Sequence, residues 1–371
     1  MSVFKNFRLN PFRRSKTPRS GGKNIIIVSA GGLGDTALFS LVFNNFTKLK
    51  KKNETVTLLL RSDAQKMSFL FPNDIKIKVV DYDLIHKNRS YRKKVCQELF
   101  SSHYRLLIST DFLKHPYKDE AIIGGCQADI TLGIRHKPWS KYNKALKKNV
   151  SLYDRLYDSG PIVQDKVIRW SNYSNWLNGE NIPPPKITSK TKTLSGDKKK
   201  NNVVFVPFSA VPEKQVPPEF FHSIANLIDK RYPITVVGTS SELVKNPGIT
   251  SLLKEPDIFF NNRSFEEIIP LLETVKLVIS VDTAFMHLSV MLGVPTLCLA
   301  SAAYVREIVP YADETTPKNA SFLYTPMECE SCLGVCSKPR ENNVYPCVAR
   351  IKEAVVLDAV SSLLNLREAD G

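Results

Sequence analysis

Leu277-Val278-Ile279-Ser280-Val281-Asp282-Thr283-Ala284-Phe285-Met286-His287-Leu288 is the stretch that decides the fold class. An apolar, β-branched run from Leu277 to Val281 ends in an acid and a hydroxyl. A short amphipathic segment follows as far as Gly293-Val294-Pro295, and a second apolar run, Thr296 to Ala300, comes next. Strand, loop, helix and strand in that order make the repeating unit of a parallel α/β sheet. Ligands of open α/β sheets bind outside the carboxyl ends of the strands. Asp282 and Thr283 stand at such an end, with His287 one helical turn further on. A buried strand has no structural need for any of them.

The same pattern extends in both directions. Asn24 to Ser29 (NIIIVS) reads as a buried strand that runs into Ala30-Gly31-Gly32-Leu33-Gly34-Asp35 and then a helical pattern through Phe46. Thr55 to Leu60, Ile75 to Val80 and Arg105 to Ser109 read as further strands. Residues 181–202 combine prolines, Ser/Thr and a lysine run, the composition of a linker. Beyond it the pattern restarts, with strands at Val203 to Val206 and Ile234 to Val237 and a helix at Pro218 to Asp229. Another helix is expected over Ser264 to Glu273, opened by the Ser264-x-x-Glu267 capping box. A last helix, about Ile351 to Leu366, is long enough to pack across both halves.

At 371 residues the chain is long for one core, and two domains with a cleft between them are expected. The boundaries follow from the same reading. An arm covers residues 1–23, an N-terminal domain 24–180, a linker 181–202, a C-terminal domain 203–350, and a helix with its tail 351–371.

The composition, 43% hydrophobic and 24% charged, is that of a soluble globular protein. No apolar run reaches the ~18 residues of a membrane-spanning helix, and no signal-peptide apolar region follows the start. A cytoplasmic protein is expected. The net charge of +16 is uneven: Lys5, Arg8, Arg13, Arg14, Lys16, Arg19 and Lys23 lie in the first 23 residues, interspersed with Phe4, Phe7, Leu9 and Phe12. Such an arm suits an anionic membrane surface, which would place the protein at the periphery of the inner membrane. A merely solvated tail explains the same charges. No nucleic-acid-binding signature accompanies them, so nucleic acid is not expected as a partner.

The glycine turn is ambiguous by itself. Gly32-x-Gly34-x-x-Ala37 after a strand matches the dinucleotide fingerprint, which would suit an NAD(P)-binding oxidoreductase. However, the second strand ends in Leu60-Arg61-Ser62, with no acid for a ribose hydroxyl, and Asp35 inside the turn would repel a pyrophosphate. Asp35 is either a helix cap favoured by the dipole or a general base directed into the cleft. In the second half, Ser209 and Lys214 lie on the loop Pro207 to Pro217, again after a strand. A hydroxyl and a point positive charge there suit a phosphate-bearing ligand. The plainer reading of Lys214 is one more surface lysine.

These residues together resemble glycosyltransferase family 9, the lipopolysaccharide heptosyltransferases and their relatives. The order and spacing of Gly-Gly-Leu-Gly-Asp35, Lys214-x-x-Pro217 and Asp282-Thr283-x-x-x-His287-Leu288 before Gly293-Val294-Pro295 carry the resemblance, which spans about residues 24 to 366. It implies an α/β GT-B architecture of two Rossmann-like domains, the second holding the donor nucleotide and the first the acceptor. It also implies inverting transfer that needs no metal or other cofactor. ADP-heptose as donor and an anionic glycolipid of the lipopolysaccharide core, or a related surface glycan, as acceptor are expectations of the family alone. Carried onto this chain, Asp35 is the catalytic base beside the acceptor-side loop of Gly32 and Gly34. Ser209, Lys214 and Thr283 serve the diphosphate and Asp282 the donor sugar, while His287 either touches the phosphates or orients Asp282 or Thr283. The chain departs from the pattern at Ala284, where the family usually has Gly, and at Val216, where it usually has Trp. Those departures leave open a non-catalytic nucleotide-sugar-binding protein of the same fold.

Cys329, Cys332, Cys336 and Cys347 form a CxxCxxxCx10C constellation. The spacing suits a structural zinc or iron–sulfur site, and free thiols are the alternative. Cys96, Cys126 and Cys298 look isolated. His103 and His115 flank a strand with no partner spacing and read as ordinary residues. Trp170, Tyr173 and Trp176 are expected to pack rather than to line an acceptor pocket.

Overall fold

The computed structural model describes residues 11–13, 19–189 and 201–366. Most of the basic arm and the lysine-rich part of the expected linker lie outside the described residues. The chain divides into two compact units, one of Met1–Ile162 with Arg169–Pro183, the other of Val163–Ile168 with Pro184–Gly371.

The first unit is built on six parallel strands: β1 (Ile25–Ser29), β2 (Val56–Arg61), β3 (Lys76–Val80), β4 (Leu106–Ser109), β5 (Ile130–Ile134) and β6 (Arg155–Tyr157). Their order is β3-β2-β1-β4-β5-β6. The chain builds outward from β1 to β3, then returns to β4 on the other side of β1. All five residues of β1 are buried, which is why this strand is an unbroken apolar run rather than an alternating one. One core layer packs Ile26, Val28, Leu59 and Leu107 against Leu99 and Ile122. Each such side chain contributes about 1.5–3 kcal/mol relative to exposure. An aromatic group fills the other side: Phe39 meets Phe43, Phe46 and Trp170, and Phe46 meets Tyr173. Trp170 donates its indole N–H to the Thr110 carbonyl at 3.0 Å, and Tyr173 is wholly buried. Both are packing residues.

The second unit repeats the design with β7 (Asn202–Val206), β8 (Ile234–Val237), β9 (Ile258–Asn261), β10 (Val275–Val281), β11 (Thr296–Leu299) and β12 (Ala320–Leu323). The order β12-β11-β10-β7-β8-β9 reverses between β7 and β10, which pair in register with Ser280 beside Val206. Val203, Phe205, Phe221, Ile224, Leu277 and Ile279 form its core, joined by Val356, Val360 and Leu364. The last three belong to the terminal helix, which runs Glu353–Leu364.

Two local expectations change. The capping box at Ser264 forms, since Glu267 accepts from the Ser264 hydroxyl at 2.7 Å and from its N–H at 3.0 Å. The helix proper is only Ile269–Leu272, because Pro270 cannot donate to the carbonyl four residues back. The described start of the expected linker is also not slack. Ile187 is buried and donates its N–H to the Thr315 carbonyl, and Ser189 donates to Met291, both within the second unit. Among the described residues no helix is long and apolar enough to cross a membrane.

Candidate functional site

In the second unit the strand order reverses between the carboxyl ends of β7 and β10, and there the predicted residues meet. Lys214 and Asp282 form an ion pair, Nζ to Oδ2 at 2.7 Å, with only 8% and 7% of each residue exposed. The Lys214 ammonium also lies 3.9 Å from the centroid of the Tyr304 ring, a favourable cation–π arrangement. Lys214 is therefore not a solvated surface lysine. Ser209 donates its hydroxyl to the Asp282 carbonyl at 3.2 Å, and Gln215 donates to the Ser209 carbonyl at 2.9 Å. The bonds from Ser209 and Lys214 to Asp282 tie the loop after β7 to the loop after β10, and the Gln215 bond braces the first loop internally. Gly238, at the end of β8, is required beneath them, because a Cβ there would lie 2.3 Å from the Phe208 ring.

Thr283 is the N-cap of the helix Ala284–Met291, and its side chain makes no capping bond. The first amides of that helix have no intrahelical acceptor, and the dipole adds positive potential at the same end. His287 sits on the same helix but turns inward. It is 2% exposed, and its Nδ1 is 2.7 Å from the Tyr311 hydroxyl. The structure thus brings Ser209, Lys214, Asp282 and Thr283 together, while the hydrogen bond of His287 that stands out runs to Tyr311.

The first unit has its own reversal, between β1 and β4. Asp35 is the third residue of the helix Leu33–Ser40, and its carboxylate accepts the Gly32 N–H at 3.2 Å. The capping role is therefore real. Gly31 rather than Gly32 is the glycine that packing demands: a Cβ at Gly31 would lie 2.5 Å from the Asp35 Cβ, whereas one at Gly32 meets nothing. A second carboxylate holds the same turn. Asp111, two residues beyond β4, accepts the Ala30 N–H at 2.7 Å. Burial pushes the Asp111 carboxyl up to about 7, with Asp119 and Asp35 adding repulsion and Lys114 opposing it. Burial likewise raises Asp119 to about 6, although that carboxylate accepts the His115 N–H at 2.7 Å.

The four clustered cysteines line one cavity of about 10 Å³ together with Met327, Lys338 and Tyr345. Burial raises the Cys332 and Cys347 thiols, and the neighbouring thiols raise them further. Among the described residues no three His, Cys, Asp or Glu side chains converge as ligands of a metal ion. Cys96, Cys126 and Cys298 are buried, as their apolar settings suggest.

Tyr304, Tyr311 and Asp111 belong to these sites without standing out in the sequence. Asp111 had a signal, an acid directly after a strand next to the first one. Tyr304 and Tyr311 had none, because they reach Lys214 and His287 only through the packing of a distant loop.

Two doubly wound parallel sheets, each with polar groups gathered at its reversal point, define the GT-B class of glycosyltransferases. The chain belongs to glycosyltransferase family 9 (heptosyltransferase), whose family model matches residues 141–330, just over half of its length. The dehydrogenase alternative falls away. Three of the solved structures that resemble this chain illustrate the likeness. Escherichia coli heptosyltransferase WaaC, with ADP-2-deoxy-2-fluoro heptose, is 16% identical over 93% of this chain and 99% of its own, with a TM-score of 0.64. A family 9 glycosyl transferase from Veillonella parvula is 19% identical over 92% and 97%, TM-score 0.66. E. coli ADP-heptose lps heptosyltransferase II is 13% identical over 93% and 99%, TM-score 0.63. At these identities the likeness is one of fold. No curated protein sequence matches the chain.

Two predictions follow from the geometry. Removing one member of the buried pair leaves the other charge uncompensated, so Lys214→Ala should cost on the order of 3 kcal/mol of stability. The double variant Lys214→Met/Asp282→Leu should lose less than either single variant in denaturant unfolding; strictly additive losses would show that the pair does not couple.

The second concerns pH. An Asp in the unfolded chain titrates near 4, so a carboxyl raised to about 7 keeps its proton in the folded state over the interval between. Its contribution to stability is complete below about pH 4 and is lost as pH rises through 7. Asp111→Asn cannot ionise, so its thermal stability should fall less than that of the wild type between pH 5 and pH 8. Equal falls in the two proteins would refute the assignment.

Proposed function

We propose that this protein is an inverting glycosyltransferase that moves a sugar from a nucleoside-diphosphate donor to a hydroxyl of a glycan acceptor. The observation that carries the reading is the Lys214–Asp282 pair, held by Ser209 at the reversal point of the second sheet. A buried ammonium whose partner is a carboxylate is a ready site for a second anion, and a diphosphate offers more charge than Asp282 does. The amides at the start of the Ala284–Met291 helix, with Thr283 as its cap, supply further donors to phosphate oxygens.

The chemistry needs two further acts. Asp35 takes the proton of the acceptor hydroxyl as that oxygen attacks the anomeric carbon. The bond from that carbon to the diphosphate oxygen breaks, and the negative charge that develops on the leaving group meets Lys214 and the helix amides. A single displacement from the opposite face inverts the anomeric configuration. Lys214 provides the fixed positive charge of the step, so the reading requires no divalent cation. Asp282 is free to bind donor-sugar hydroxyls once Lys214 engages the phosphates.

The donor we propose is ADP-heptose and the acceptor an anionic glycan of the lipopolysaccharide core type, with the positive charge of the chain favouring such a partner. The domain roles follow: residues 24–180 hold the acceptor, and residues 203–350 the donor nucleotide. The basic residues of 1–23 suit peripheral contact with an anionic membrane. Retention of Asp35, Lys214 and Asp282 together favours the enzyme over a binding protein that has lost turnover.

Asp35→Ala should abolish transfer while ADP binding, measured by calorimetry, stays within about twofold of the wild type. Unchanged turnover would remove Asp35 from the mechanism. In a thermal-shift panel of nucleotide sugars, ADP-linked sugars should stabilise the protein most; stabilisation by other nucleotides alone would reassign the donor.

A structural metal is a second proposal, supported by four thiols lining one small cavity. A zinc or iron centre would require those thiolates to draw inward from their present positions. Purified protein should then contain metal that is lost in Cys329→Ser/Cys332→Ser. Metal-free protein whose thiols all react with a disulfide reagent would identify the cluster as free thiols.

A further inference from the structure

The segments that follow β3, β4 and β5 bring together His86, in the last turn of the helix Tyr82–Lys87, with His115, Tyr117, Trp139 and Tyr142 on loops of the first unit. The Trp139 and Tyr142 rings meet at 88° with centroids 4.6 Å apart. His115 lies 4.6 Å from Tyr142 and 5.3 Å from His86, and Tyr117 lies 6.2 Å from His86 at an interplanar angle of 24°. In the sequence His115 has no partner at a telling spacing; the fold gives it four aromatic neighbours.

The group does not behave like core. Tyr117 is 43% exposed, the adjoining Leu113 is 57% exposed, and His86 is exposed as well. The other aromatic group of the same unit provides the contrast, since Phe39, Phe46, Trp170 and Tyr173 are all at or below 5%. The exposed group is nevertheless held in place. The Tyr117 N–H donates to His115 Nδ1 at 3.2 Å, which leaves Nε2 to donate to the Tyr142 hydroxyl, also at 3.2 Å. Burial, with His86, Lys118 and Lys141 nearby, lowers His115 to about 4, so the ring is neutral. The Trp139 N–H donates to Asn143 at 2.7 Å, and the Lys137 N–H to the Phe112 carbonyl at 2.8 Å.

Fixed aromatic rings that reach the surface, Tyr117 exposed with Phe12 at its edge and Trp139 and Tyr142 half-buried, have beside positive charge a recognisable ligand chemistry. The negative face of an aromatic ring attracts polarised C–H groups, and a sugar ring presents a patch of them between its hydroxyls. The Lys141 ammonium stands 5.1 Å from the Tyr142 ring centroid, while Lys118 is paired with Asp83 at 2.6 Å. Among the described residues no carboxylate pairs with Lys141, which leaves its ammonium for an anionic substituent. The loop that carries His115 and Tyr117 also carries Asp111, which holds the turn of Asp35.

We propose that these residues form a glycan-binding platform: sugar rings rest on Trp139, Tyr142 and Tyr117, and an anionic group on the same glycan meets Lys141. The naming of that glycan as the acceptor rests on the transferase reading; the binding itself does not.

Calorimetric titration of the full chain with deacylated, phosphorylated lipopolysaccharide core oligosaccharide tests the platform. Binding should weaken about tenfold in Trp139→Ala and in Tyr117→Ala, and measurably in Lys141→Ala or with dephosphorylated oligosaccharide. ADP binding should not change in any variant, which shows that the variants fold. Undiminished oligosaccharide binding in both aromatic variants, or no binding by the wild type, overturns the platform. Glycan binding without transfer from any nucleotide sugar would sink the transferase and leave the platform standing. Transfer with unchanged KM in both aromatic variants would do the reverse.

Discussion

A parallel sheet that reverses its strand order cannot cover the carboxyl ends of the two strands at the reversal, because the crossovers on either side lead away from them. Both sheets of this protein reverse once, at β1 and β4 in the first and at β7 and β10 in the second. Asp35, Asp111, Ser209, Lys214 and Asp282 have collected at those two places. Asp35 and Asp111 hold one glycine turn between them, and Ser209, Lys214 and Asp282 lock one pair of loops. The apolar strands behind them are buried on both faces and need no polar residue, so the acids stand where the backbone runs out of sheet.

The buried Lys214–Asp282 pair is the interaction on which the second unit's site depends. A pair of this kind is poor evidence for stability, since desolvating two charges offsets most of their attraction. Its placement makes more sense as readiness. The ammonium is already desolvated, aimed by Asp282 and backed by the Tyr304 ring, so on the proposed reading a diphosphate would have to displace only one partner from a charge already in place. Asp165 shows the contrasting, structural use of a buried carboxylate. It accepts from the Val167 and Ile168 amides, the Ala312 amide and the Thr315 hydroxyl, and its partners leave nothing to exchange.

Much of this was legible in the sequence, because the deepest strands are the ones that must be apolar throughout. Ile25 to Ser29, Ile234 to Val237 and Leu277 to Val281 announce themselves in that way. β5, β6, β9 and β12 did not, being short strands whose runs are interrupted by residues such as Gly133, Arg155 and Asn261. The site at the reversal of the second sheet was readable as polar residues after strands. Its partnerships were not: that Lys214 pairs with Asp282, or that His287 turns to Tyr311, depends on loops far apart in sequence. The aromatic cluster around His115 was hidden for the same reason, since one helix and two loops far apart in sequence build it.

The central claim is that Lys214 exchanges a carboxylate for a diphosphate. A crystal structure of the protein with ADP tests it directly. The account predicts Lys214 Nζ within about 3 Å of a phosphate oxygen, with the 2.7 Å contact to Asp282 opened and the phosphates at the start of the Ala284–Met291 helix. ADP bound elsewhere, with the Lys214–Asp282 pair intact, would contradict it.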